Sequence, residues 1–170
     1  MKLILDYKYR LVFFAIFVAV FLLAFWMGTN YKMTNDEAQE FLKGYNDSTQ
    51  GIDAPGIFLH NIPNALAMFI PGIGIAWGAY NAWSTGAAFS ILLLLNPVSP
   101  PSTPVAVLLS RPYGIMELVS YGIAMSQSLF LLLVLVKRKS IKKELYHTMI
   151  QVGIVSAILL VAAFVESSMM

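Results

Sequence analysis

The stretch "IFLHNIPNALAMFIPGIGIAWGAYNAWSTGAAFSILLLL", Ile57 to Leu95, decides the fold. It is apolar for long enough to cross a membrane twice, yet "PGIGIAWGAYN" interrupts it in the middle. Pro71, Gly72, Gly74 and Gly78 kink or loosen a helix there. The pattern predicts a span at 57–75 and another at 77–95, tightly joined, with Trp77, Tyr80 and Trp83 near an interface. The rival is a re-entrant hairpin that never crosses, because broken helices occur where backbone lines a cavity. Asn81, Ser84 and Thr85 are expected to turn the chain and cap the later helix.

Outward from that stretch the same alternation of apolar runs and polar blocks continues. Upstream, "LVFFAIFVAVFLLAFWM" (11–27) follows Lys2, Lys8 and Arg10 and has the length of a spanning helix. It is longer than the apolar region of a secretory signal, and no A-x-A-like site follows, so it reads as a retained first span. Between 29 and 53 the chain is polar and acidic. In "TNDEAQEFLKGY", Thr34 and Glu37 have the spacing of a capping box, and Gly44 is placed to end a short helix. Downstream, Pro97, Pro100, Pro101 and Pro104 make a loop, and Val105 to Leu109 is long enough only for a turn or two at the interface. The remaining spans are expected at 113–136 and 145–165.

The bulk composition agrees with this division. Of 170 residues 58% are hydrophobic and 12% charged, about half the charged share of a soluble domain. The expected fold is therefore all-α: a single integral membrane domain of about five helices. With five spans, eight of the 11 basic residues fall on one side, namely Lys2, Lys8, Arg10 and those from Lys137 to Lys143. Lys32, Lys43 and Arg111 fall on the other, which places the N-terminus in the cytoplasm and the C-terminus outside. A net charge of +2 carries no nucleic-acid footprint. The absence of cysteine excludes disulfides and thiolate chemistry.

Few polar residues lie within the apolar segments, and one of them is Glu117. An ionised carboxylate at the bilayer centre costs about 2.5–3.5 kcal/mol on insertion scales, so its depth sets its meaning. A core of about 30 Å takes roughly 20 helical residues. Counting back from Val136 puts Glu117 at the outer boundary. His60, Asn61 and Asn64 enter from that side on the second span and fall at a similar depth, with His60 and Asn64 on one helix face. On the fourth span Gly114, Glu117, Tyr121, Ala124 and Ser128 form a stripe of mostly small or polar residues suited to helix packing. The expectation is that Glu117 accepts hydrogen bonds from Asn61, Asn64 or His60. Such a cluster is either interhelical glue or an outward-facing site for a proton, ion or ligand. His147 and Gln151, one turn apart on the last span, are a weaker polar pair.

No zinc-protease helix, nucleophile elbow or phosphate-binding loop is present. The two histidines fall on opposite sides of the membrane in this topology, so they share no metal. No enzymatic activity, metal or cofactor is expected.

Two stretches, "IFLHNIPNALAMFIPGIGIAWGAYNAWSTG" (57–86) and "RPYGIMEL" (111–118), resemble the stage II sporulation protein M family, particularly its archaeal-type members. The second is similar to that family's Pro-His-Gly-Ile-x-Glu signature. Pro112, Gly114 and Glu117 match it, Tyr113 stands where the histidine would, and Asn61 matches a family asparagine. The resemblance implies a multi-pass protein of the cell membrane acting as a scaffold, since the namesake recruits cell-wall hydrolases during engulfment. The expected partners are the lipid bilayer, a membrane or cell-surface protein, and a second copy of the chain. The other reading is a small transporter or channel component built on the outward cluster.

Overall fold

The computed structural model describes residues 7–31, 34–49, 52–95, 103–138 and 140–169. Among them are seven helices: α1 (Tyr7–Thr29), α2 (Asn35–Thr49), α3 (Ala54–Ala67), α4 (Ile73–Leu95), α5 (Pro104–Ser110), α6 (Pro112–Val136) and α7 (Lys142–Met169). Three of them, α1, α6 and α7, are long and apolar enough to cross a membrane. The loop expected around Pro97, Pro100 and Pro101 lies outside the described residues.

Local chemistry sets where the helices start. Thr34 and Glu37 close a capping box at α2: the Glu37 carboxylate accepts from the Thr34 backbone N–H at 2.8 Å and from its hydroxyl at 2.9 Å. Those bonds, the backbone one first, hold the Glu37 carboxyl below the usual carboxylate range. Gly44 does not end the helix, which runs on to Thr49. The Asp53 carboxylate caps α3 by accepting from the Gly56 N–H at 2.9 Å. Thr103 caps α5 in the same way, with Pro104 as its first residue.

The helical stretch that begins at Asp53 ends at Ala67 and does not continue to Ile75. Pro71 cannot donate in a continuing helix, and Gly72 adopts φ +75°, a conformation open to glycine and strained for other residues. α4 then doubles back along α3, so that Asn81 Nδ2 donates to Asn64 Oδ1 at 3.2 Å across the hairpin. Asn81, Ser84 and Thr85, expected at a turn, lie inside α4, where the Thr85 hydroxyl donates to the Asn81 carbonyl at 2.8 Å. They miss a capping role because the chain break sits upstream, at 68–72.

The hairpin turn is held from outside. The Ser128 hydroxyl on α6 donates to the Ile70 carbonyl at 2.6 Å and accepts from the Gly72 N–H at 3.0 Å. An unsatisfied backbone group in hydrocarbon costs several kcal/mol, and Ser128 removes that penalty for the Gly72 N–H while adding a second bond to the Ile70 carbonyl, which already accepts from the Gly74 N–H. Ser128 is fully buried.

Around the hairpin, α1 packs along α4 and α6, and α7 packs along α6 and α3. Backbones approach closely where α1 meets α4: a Cβ on Gly28 would run into the Trp83 carbonyl, and one on Gly86 into the Phe25 carbonyl. Phe17, Phe21 and Phe25 of α1 fill the centre with Met68, Met125 and Leu159. The Phe21 ring stacks on Tyr121 at 5.5 Å.

Candidate functional site

α3, α4, α6 and α7 bring polar side chains together near the start of α6. Asn61 Nδ2 donates to Glu117 Oε1 at 2.7 Å, joining residues 56 apart in the chain. Asn64 Nδ2 donates to the His60 backbone carbonyl at 3.1 Å and, through its oxygen, accepts from Asn81. Of the three donors expected for Glu117, the structure places Asn61 on the carboxylate. The His60 side chain is exposed, and Asn64 turns toward α4.

These residues open onto a cavity of about 280 Å³. Its polar wall holds His60, Asn61, Asn64, Glu117, Arg111 and Glu166, and its apolar wall includes Phe21, Phe25 and Leu118. Tyr113, which stands at the histidine position of the resembled signature, is part of the rim. Pro112 opens α6 and is exposed. Gly114 is buried against α5, where a Cβ would come within 2.5 Å of the Leu108 carbonyl. Gly72 lies away from this cavity, against the Leu132 side chain, and Gly74 packs on Met68 within the turn. Among the described residues no group of three His, Asp or Glu side chains is arranged to hold a metal ion.

Glu166 joins the site from the last turns of α7, just beyond the span expected at 145–165. The signal for it was present: Glu166 closes a long apolar run, as Glu117 opens one.

A second polar assembly lies at the opposite end of α6, and sequence reasoning missed it. Arg10 Nη2 donates to both oxygens of Glu144 at 2.7 and 2.9 Å, and Arg10 Nη1 donates to Gln127 Oε1 at 3.0 Å. Gln127 Nε2 in turn donates to Glu144 Oε1 at 2.7 Å and to the Thr148 hydroxyl at 2.9 Å. The Arg10 guanidinium stands 4.5 Å from the centre of the Phe130 ring, a cation–π distance. Every hydrogen-bonding group of the Gln127 amide has a partner here, which is the condition under which a buried polar network stabilises. The available signal was "SQS" (126–128) in the middle of an apolar run.

A helical bundle with three apolar helices of crossing length, a broken hairpin and a carboxylate pinned by an asparagine belongs to the class of helical membrane proteins. The stage II sporulation protein M family model matches residues 11–169, nearly the whole chain, and the protein belongs to that family. Comparison with curated proteins and with solved structures found no match to either.

Proposed function

We propose that this protein is a non-enzymatic scaffold, or subunit of a membrane protein complex, spanning the cell membrane several times. The observation that carries the reading is how the polar side chains inside the bundle are used. Asn61 with Glu117, Asn81 with Asn64, Ser128 with the hairpin turn and Arg10 with Gln127 and Glu144 each join one helix to another. Polar groups spent on such contacts fix geometry, worth about 0.6–2 kcal/mol each within a membrane. A rigid frame that presents its outer loop and α2 to a partner fits that use.

The topology follows the same logic. Five crossings would require α3 to be one of them, yet its 14 residues span about 21 Å at 1.5 Å per residue, short of a core of about 30 Å. Ser128, which holds the turn, lies about 24 Å along α6 from Pro112 and about 12 Å from Val136. We therefore read three crossings, α1, α6 and α7, with α3 and α4 as a re-entrant pair. Three crossings and five give the same sorting of basic residues, so the N-terminus stays cytoplasmic and the C-terminus outside.

The second reading, a transporter or channel component, is favoured by one feature: Glu117 and Glu166 both face a cavity of about 280 Å³. Its lining ends near Tyr121 and does not include Gly72 or Gly74, so the support for a pathway through one copy is weaker. Affinity purification from native membranes tests the scaffold directly, with a stable membrane or surface protein expected to copurify. Solute movement by the isolated protein in liposomes, with no such partner recovered, replaces the scaffold by the transporter.

A further inference from the structure

We propose that a groove between α1, α6 and α7, at the end of the bundle opposite Glu117, is a binding site for an anionic phospholipid. Leu11 and Phe14 of α1, Ile123 and Phe130 of α6, and Ile154 of α7 wall a space of about 300 Å³. Leu11 is exposed, so the groove opens outward where an acyl chain arrives from the surrounding bilayer. An apolar groove alone would not choose among lipids. Its polar rim does.

Gln151 lies in this groove with its side-chain oxygen buried and without a hydrogen-bond partner. A buried acceptor without a donor carries a desolvation penalty of about 1–3 kcal/mol. Turned into the groove that the residue lines, this oxygen loses the penalty by accepting from a headgroup hydroxyl. On the same face of α7, His147 and Lys143 follow at one and two turns toward the membrane surface, and both are exposed. Lys137, Arg138 and Lys142 are exposed at that end as well. Glu144, the acidic residue among the described ones here, is turned inward and paired with Arg10. Among the described residues the rim is thus cationic with no exposed acid to offset it, which complements a headgroup of net negative charge better than a zwitterionic one. Across the groove the Tyr7 phenol, 82% exposed, adds a neutral donor. The acyl chain lies along Leu11, Phe14 and Ile154, the phosphate faces Lys143, and the hydroxyl-bearing part of the lipid reaches Gln151.

The test is native mass spectrometry of the full chain in detergent, titrated with phosphatidylglycerol or with phosphatidylcholine of matched acyl chains. One phosphatidylglycerol is expected to stay bound in preference to phosphatidylcholine. Lys143→Glu is expected to lower that preference by about fivefold or more, the equivalent of one basic residue at an anionic surface. Leu11→Trp, which fills the groove from its open side, is expected to lower retention of both lipids while thermal unfolding in detergent stays near that of the parent. Equal retention of the two lipids overturns the proposal. So does a preference that survives Lys143→Glu and Leu11→Trp but disappears when Lys137, Arg138 and Lys142 are all changed to Gln, since that result describes a diffuse cationic surface with no groove.

Discussion

The Arg10 guanidinium, on the first turn of α1, and the Glu144 carboxylate, on the first turn of α7, form an ion pair at 2.7 Å across 134 residues of sequence. Their side chains are 14% and 3% exposed, so the pair is largely out of water. Removing one member leaves the other charge buried without compensation, at a cost of about 3–5 kcal/mol. Arg10→Leu is therefore expected to lower thermal stability in detergent sharply. Adding Glu144→Gln to it is expected to restore part of the loss, because a neutral amide still keeps an oxygen for Gln127 Nε2. A double variant no more stable than Arg10→Leu alone would show that packing against Phe130, and not charge, is what Arg10 supplies.

Ser128→Ala removes one hydroxyl and strands two backbone groups, the Gly72 N–H entirely and the Ile70 carbonyl in part, since that carbonyl also accepts from the Gly74 N–H at 2.8 Å. With about 1–3 kcal/mol for each buried group left unpaired, a loss near the lower end of that range for the carbonyl and higher for the N–H is expected. Chemical denaturation in mixed micelles checks it. A variant as stable as the parent would mean that water or lipid headgroups reach the turn.

These two contacts also show what the sequence discloses and what it conceals. The meeting of Asn61 with Glu117 was legible because depth can be counted: both polar residues lie a similar distance from the ends of apolar runs, and burial in lipid demands a partner. The break at Pro71 and Gly72 was legible from backbone chemistry, although the helix stops earlier than hydropathy suggests. The Arg10 assembly was not legible. Arg10 and Glu144 sit at the edges of charged blocks, where exposed residues give the same pattern, and only the fold turns these two inward. Ser128 was read as one small residue in a packing stripe. Its task follows from which backbone N–H of a distant turn lacks a partner, and that depends on the path of the whole hairpin.

Asn61→Leu and Glu117→Gln separate interhelical glue from a working carboxylate. Asn61→Leu deletes the donor to Glu117 Oε1 and is expected to reduce folded yield in detergent, consistent with a loss of about 0.6–2 kcal/mol. Glu117→Gln keeps an oxygen for Asn61 to bond and is expected to hold yield and partner recovery near the parent's. Full yield of both variants together with loss of partner capture, or of solute movement, would assign the carboxylate to function instead.

The re-entrant reading is open to chemical mapping because the chain has no cysteine of its own. Ile73→Cys places a thiol on the residue after the turn, where the native side chain is 64% exposed. Ser140→Cys and Ser110→Cys mark the two membrane surfaces, beyond the ends of α6. If α3 and α4 turn back inside the bilayer, the thiol at 73 lies about 12 Å short of the cytoplasmic end of α6, at the level of Ser128. A membrane-impermeant maleimide added to inverted vesicles is then expected to label position 140 quickly and position 73 slowly or not at all, while position 110 reacts only from the opposite face. Rapid labelling of position 73 from the cytoplasmic side would place the turn at the surface. α3 and α4 would then be two crossings, with the bilayer thinned or α3 extended to make up for its length.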